Sequence, residues 1–74
     1  MDINKIEDIK RLSLQTLKEK IEEGDIDSIR LYLTNIDFFL DNSLEETCID
    51  KLEKKIENGD IKAISVFYQY ISQI

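Results

Sequence analysis

The chain has 74 residues, room for one domain with a marginal core. One cysteine and no histidine exclude an intramolecular disulfide and leave no ligand set for a zinc site, so no metal or cofactor is expected. The net charge is −6. Direct contact with nucleic acid is not expected, because a helix–turn–helix reader needs a basic recognition helix and the segments 26–40 and 61–72 offer only Arg30 and Lys62.

No apolar run approaches membrane-spanning length, and Met1-Asp2-Ile3-Asn4-Lys5 lacks the apolar core of a signal peptide. The expected setting is the cytoplasm, with no membrane contact. Proline is absent and strand-like alternation is missing, so the expected class is all-α.

Asp2 is placed to cap a first helix running from about Ile3 to Glu23. Ile3, Ile6, Leu14, Leu17 and Ile21 share a stripe on it, and Ile9 and Leu12 drift off that stripe by about a third of a turn. Either the buried face is wide there or the helix breaks near Ser13, and the alignment of the two halves, given below, favours the break. Gly24 then offers a left-handed stop, and Asp25 a carboxylate to cap the next helix.

The second helix is expected over about Ile26 to Leu40, with Ile26, Ile29, Leu33, Ile36 and Leu40 as its core stripe. Tyr32 and Phe39 flank that stripe, and Leu31 and Phe38, seven apart, point nearly the opposite way. Asp41-Asn42-Ser43 ends the helix, with Asn42 a fair left-handed residue. Ser43 and Glu46 read as a capping box for a third helix reaching about Asn58 on Leu44, Cys48, Leu52 and Ile56. Cys48 lies in that stripe and reads as a buried structural thiol.

After Gly59-Asp60, a fourth helix is expected over about Ile61 to Ser72. Ile61, Ile64, Tyr68 and Ile71 repeat the stripe of the second helix; Ala63, Phe67, Tyr70 and Ile74 widen it, and Val66 points away.

Residues 17–36 align on 52–71 without a gap, and nine of twenty positions are identical. The shared frame is Leu, Lys-Ile-Glu, Gly-Asp-Ile, Ile and a final Ile, and it holds both glycines of the chain. The expected architecture is therefore two antiparallel αα-hairpins, repeat 1 over about 8–42 and repeat 2 over about 43–74, packed as a compact four-helix domain. The Gly-Asp turn, the two-helix unit and the period of 35 resemble tetratricopeptide-type repeats. The resemblance covers about 17–43 and 52–74; the family's small residues inside the helix pair lack counterparts at most positions, and its terminal proline is absent. It implies hairpin packing and peptide or protein binding, and it identifies no ligand groove.

Charge is unevenly spread: residues 1–18 carry +1, residues 19–46 carry −7 and residues 47–74 carry 0. Glu19, Glu22, Glu23, Asp25 and Asp27 surround the first turn. Asp25 and Asp27 suit a helix N-terminus, but Glu22 and Glu23 fall at a helix C-terminus, where the dipole disfavours them. Such a cluster is either a solubilising face or a binding surface.

Little material for catalysis is present, so no enzyme is expected. Asp25-Ile26-Asp27 opens like a calcium loop, yet Ile36 stands where the closing Glu belongs.

Two functions fit. The first is a non-enzymatic protein-interaction module, regulatory or structural, that self-associates or docks a protein partner through its apolar second faces, Leu31 with Phe38 and Val66 with Tyr70. The second is an acidic inhibitor of the phage or mobile-element kind, whose acidic surface blocks the nucleic-acid-binding site of a basic partner.

Overall fold

The computed structural model describes residues 2–39 and 42–74. Over these residues the protein is all-helical with no strand: α1 is Ile3–Glu22, α2 Ile26–Thr34, α3 Glu45–Glu57 and α4 Ile61–Ile71. Leu40 and Asp41, expected at the end of the second helix, lie outside the described residues.

The helices pack on one another around α2 and α3, which touch each other and both remaining helices; α1 and α4 flank this pair and do not meet. The core is Leu17, Ile21, Ile29, Tyr32, Leu33, Leu44, Cys48, Leu52, Ala63 and Val66. Large side chains buried to this degree stabilise by about 1.5–3 kcal/mol each, which is what offsets the chain's conformational entropy.

Both Gly-Asp turns close in the same way. Gly24 donates to the Ile21 carbonyl at 2.9 Å and Asp25 to the Lys20 carbonyl at 3.0 Å. Gly59 and Asp60 donate to the Ile56 and Lys55 carbonyls, each at 2.9 Å. These are Schellman pairs, and they require the left-handed conformation that the glycines adopt, with φ of +85° and +84°. Lys55 of α3 reaches over the first turn: a Cβ on Gly24 would stand 3.7 Å from its Cε and Nζ. The ends of α1 and α3 therefore lie at one end of the molecule.

Four expectations need correction. First, α1 runs unbroken through Ser13. Its cap is as expected, with the Asp2 carboxylate accepting from the Asn4 N–H at 3.0 Å. Only Leu17 and Ile21 on it are buried, and Ile3 is exposed. At 20 residues α1 spans about 30 Å, against about 14–20 Å for the other helices, so its first half overshoots them.

Second, α2 stops at Thr34, well short of Leu40. The Thr34 hydroxyl donates to the Arg30 carbonyl at 2.7 Å and the Asn35 amide to the Leu31 carbonyl at 3.0 Å. Such side chains compete with the backbone for helical partners. The chain then coils through tight turns, Phe38 N–H to Asn35 carbonyl at 2.9 Å and Phe39 N–H to Ile36 carbonyl at 3.2 Å. This folds Phe39 back onto Tyr32, rings stacked at 5.3 Å, and leaves Phe38 outside. Tyr32, expected at the flank, is fully buried.

Third, the caps shift. Leu44 occupies the N-cap of α3 with its side chain in the core, one residue beyond the expected Ser43. Asp25 makes no side-chain cap bond; it accepts from the Ser28 hydroxyl instead.

Fourth, α4 buries another face than expected. Ala63 and Val66 are in the core and Phe67 and Tyr70 pack on it, while Ile61 and Tyr68 are exposed. Its apolar residues cover an arc of about 220° on a wheel of 100° per residue, so periodicity alone admits two faces. Polar satisfaction favours the observed one: the Tyr70 hydroxyl donates to the Glu45 carboxylate at the start of α3. Ala63 also lets the backbone of α4 approach closely.

Candidate interaction surfaces

The first candidate surface is an apolar groove of about 850 Å³ between the overshooting half of α1 and the end of α2. Ile6, Ile9 and Leu14 form one wall; Leu31, Phe38 and Phe39 form the other. Ile9 is 53% exposed, Leu31 50% and Phe38 84%. Glu7, Lys10 and Arg11 edge the groove. Lys10 pairs with Glu7 at 3.5 Å and Arg11 with Asp8 at 3.2 Å, both i, i+3 pairs in solvent that contribute little to stability.

The groove exists because two local rules coincide. The Ile3, Ile6, Ile9, Leu12 series advances by three, so its apolar side chains wind around α1, and the bundle covers one side only. The early stop of α2 then swings Phe38 out beside Leu31. Leu31 and Phe38 thus stand off the core as expected. Val66 does not: it is 4% exposed, inside the core, and cannot serve an outer face. Tyr70 is half-buried and engaged with Glu45. That hydrogen bond, with burial and the Glu45 charge adding to it, raises the Tyr70 hydroxyl pKa above the usual tyrosine range. The α1 wall was missed as a site; its signal was the drift of Ile9 and Leu12 off the core stripe.

The acidic residues do gather at the first turn, and they are partly compensated. Lys20 pairs with Glu23 at 3.5 Å and Arg30 with Asp27 at 3.3 Å. Asp25 is held by Ser28, and the Lys55 ammonium lies over Gly24. Among the described residues, Glu19 and Glu22 have no cation within 4.0 Å.

Other chemistry is sparse. Cys48 is fully buried, and burial first, then the Glu45 charge, pushes its thiol up to about 12, so it stays protonated and unreactive in the folded state. A smaller cavity of about 310 Å³ lies beside Tyr70, Glu45, Asp37 and Ile74. Among the described residues no group of three or more Asp, Glu, Cys or His is placed to hold a metal ion. No helix there is long and apolar enough to cross a membrane.

Comparison with protein-family models, with curated proteins and with solved structures finds no match. The likeness to tetratricopeptide-type repeats therefore rests on the Gly-Asp turn and the period alone, and function has to be argued from the surface.

Proposed function

We propose that this chain is a small non-enzymatic protein-interaction module, regulatory or structural, built from two αα-hairpins in a 35-residue repeat, and that it self-associates. The observation that carries the reading is the apolar groove. Its Ile9, Leu31 and Phe38 are half or more exposed, on a domain whose described residues give a core of ten. A monomer this small gains by covering such a patch, since about 25 cal/mol is recovered per Å² of apolar surface removed from water.

A second reading keeps the acidic turn as the working surface, in an inhibitor that occupies the nucleic-acid-binding site of a basic protein. It is favoured by Glu19 and Glu22, which lie without a cation partner at the end of a helix whose dipole disfavours them.

Sedimentation velocity over a concentration and salt series tests the first reading. A dimer at micromolar concentration that persists as salt rises supports the groove, because apolar contact is insensitive to screening. A strictly monomeric profile at about ten times that concentration overturns self-association. The search then turns to a basic partner, whose association should slow at low salt in Glu22→Gln/Glu23→Gln.

A further inference from the structure

Resting on the repeat and the self-association proposed above, we infer that copies of the chain stack head to tail: the outer face of α4 docks on the outer side of α1 and α2 of a second copy, repeating the contact that joins the two halves within one chain.

The observation that carries this is an exchange of exposure between positions 35 residues apart. On α2, Leu33 is fully buried, and Ile26 and Ile36 are partly buried against the core. Their counterparts on α4, Tyr68, Ile61 and Ile71, are exposed, Ile61 to 73%. On the other side the exchange runs in reverse. Leu44, Cys48 and Val66 of the second half are in the core, whereas their counterparts in the first half, Ile9, Ser13 and Leu31, are exposed.

On a wheel of 100° per residue, Ile61, Tyr68 and Ile71 fall within about 80°, and Val66 lies on the opposite side of α4. So α4 has one apolar side covered and the other bare. On α2 the same two sides are bare and covered in the reverse sense. A rotation of α4 alone does not produce this pattern, because α1 and α3 show the same exchange at Ile9 and Ser13.

The contacts between the halves explain the exchange. The first half meets the second through α1 on α3, α2 on α3 and α2 on α4, and α1 and α4 do not meet. Each half therefore covers one side of the other and leaves its own outer side open. Carried forward by one repeat, the same contacts set α3 and α4 against the α1 of the next copy, and α4 against its α2. The pieces match in kind. Ile61 and Ile71 stand for Ile26 and Ile36 unchanged, Ile9 and Leu31 for Leu44 and Val66 as aliphatic for aliphatic, and Ser13 for Cys48 at similar size. Tyr68 in place of Leu33 is the largest departure.

A stack of helical repeats that ends in water carries a polar outer face on its terminal units. Both outer sides here carry bare apolar residues. The two sides differ from each other, so the contact is heterologous; a pair formed this way keeps one open side at each end and can add further copies. Ile9 and Leu31 lie one on each wall of the groove, so the mate's α4 is the element that covers it.

The test is sedimentation velocity on the full chain with one side blocked at a time. Ile9→Asp blocks the outer side of the first half and Tyr68→Asp that of the second. Both residues are more than half exposed, and helical circular dichroism checks that each variant folds. Each variant alone should lose association, its dissociation constant raised at least about tenfold. Their equimolar mixture should regain it, because each partner keeps the side that the other lacks, and should stop at a dimer. The wild type should pass beyond the dimer as its concentration rises. If the wild type associates but Tyr68→Asp associates equally well, or the mixture stays monomeric, head-to-tail stacking falls and self-association stands through another contact. If the wild type is a monomer, both fall.

Discussion

At an offset of 35 residues, Gly24 and Gly59 share φ within a degree and the same pair of carbonyl-bound N–H groups. The helices that follow them do not share a face. Leu33 is fully buried and its counterpart Tyr68 is 62% exposed; Leu31 is 50% exposed and its counterpart Val66 is buried. In effect α4 is rotated by roughly 80° about its axis relative to α2, counted at 100° per residue. A turn is set by backbone geometry that one glycine and its neighbours determine. A helix face is set by what surrounds it, and α2 sits between three helices while α4 sits against two. The two halves therefore share the turn between helices and differ in the packing that follows it. That difference places bare apolar surface at different points in the two halves.

The largest effect expected from this difference is between aligned positions. Leu33→Ala should cost about 2–5 kcal/mol, the range for emptying a leucine site in a core. Tyr68→Ala should stay within about 0.5 kcal/mol, as for a surface change. Urea unfolding of the two variants measures this, and similar losses at both would mean that the two helices use the same face after all.

The turns should behave alike in one respect and differ in another. Gly24→Ala and Gly59→Ala should each cost on the order of 1 kcal/mol or more, because both φ values are left-handed. The aspartates differ. Asp60 accepts from the Lys62 and Ala63 N–H groups at 3.0 and 3.3 Å, whereas Asp25 makes no such cap bond. Asp60→Ala should thus cost about 1 kcal/mol and Asp25→Ala roughly half of that. Thermal melts of the four variants check both statements, and a loss at Asp25 equal to that at Asp60 would contradict the second.

The parts of this fold that could be read from the chain are those governed by local rules. Asp2, Gly24, Gly59 and Asp60 punctuate the helices as their chemistry dictates, and Leu44, Cys48 and Leu52 bury as their spacing implies. The face of α4 was not legible, because an apolar arc of about 220° holds more than one possible stripe. The choice depended on a long-range partner, Glu45 for Tyr70. The early end of α2 was written in Thr34 and Asn35, whose side chains bond back to the helix, but an uninterrupted apolar stripe masked it. Of the candidate site, Leu31 and Phe38 were visible as off-stripe residues. The α1 wall was visible only as drift around Ser13, and a continuous helix turned that drift into a second apolar side.

Both halves expose apolar residues, Leu31 and Phe38 in the first, Ile61 and Tyr68 in the second, and only the first pair borders the groove. Sedimentation velocity at micromolar concentration on Leu31→Ser/Phe38→Ser and on Ile61→Ser/Tyr68→Ser puts this contrast to the test. The account predicts a folded monomer for the first variant, and head-to-tail stacking adds the same for the second. A dimer in the first variant, or its loss only in the second, would contradict the assignment of the groove as the surface through which the chain works.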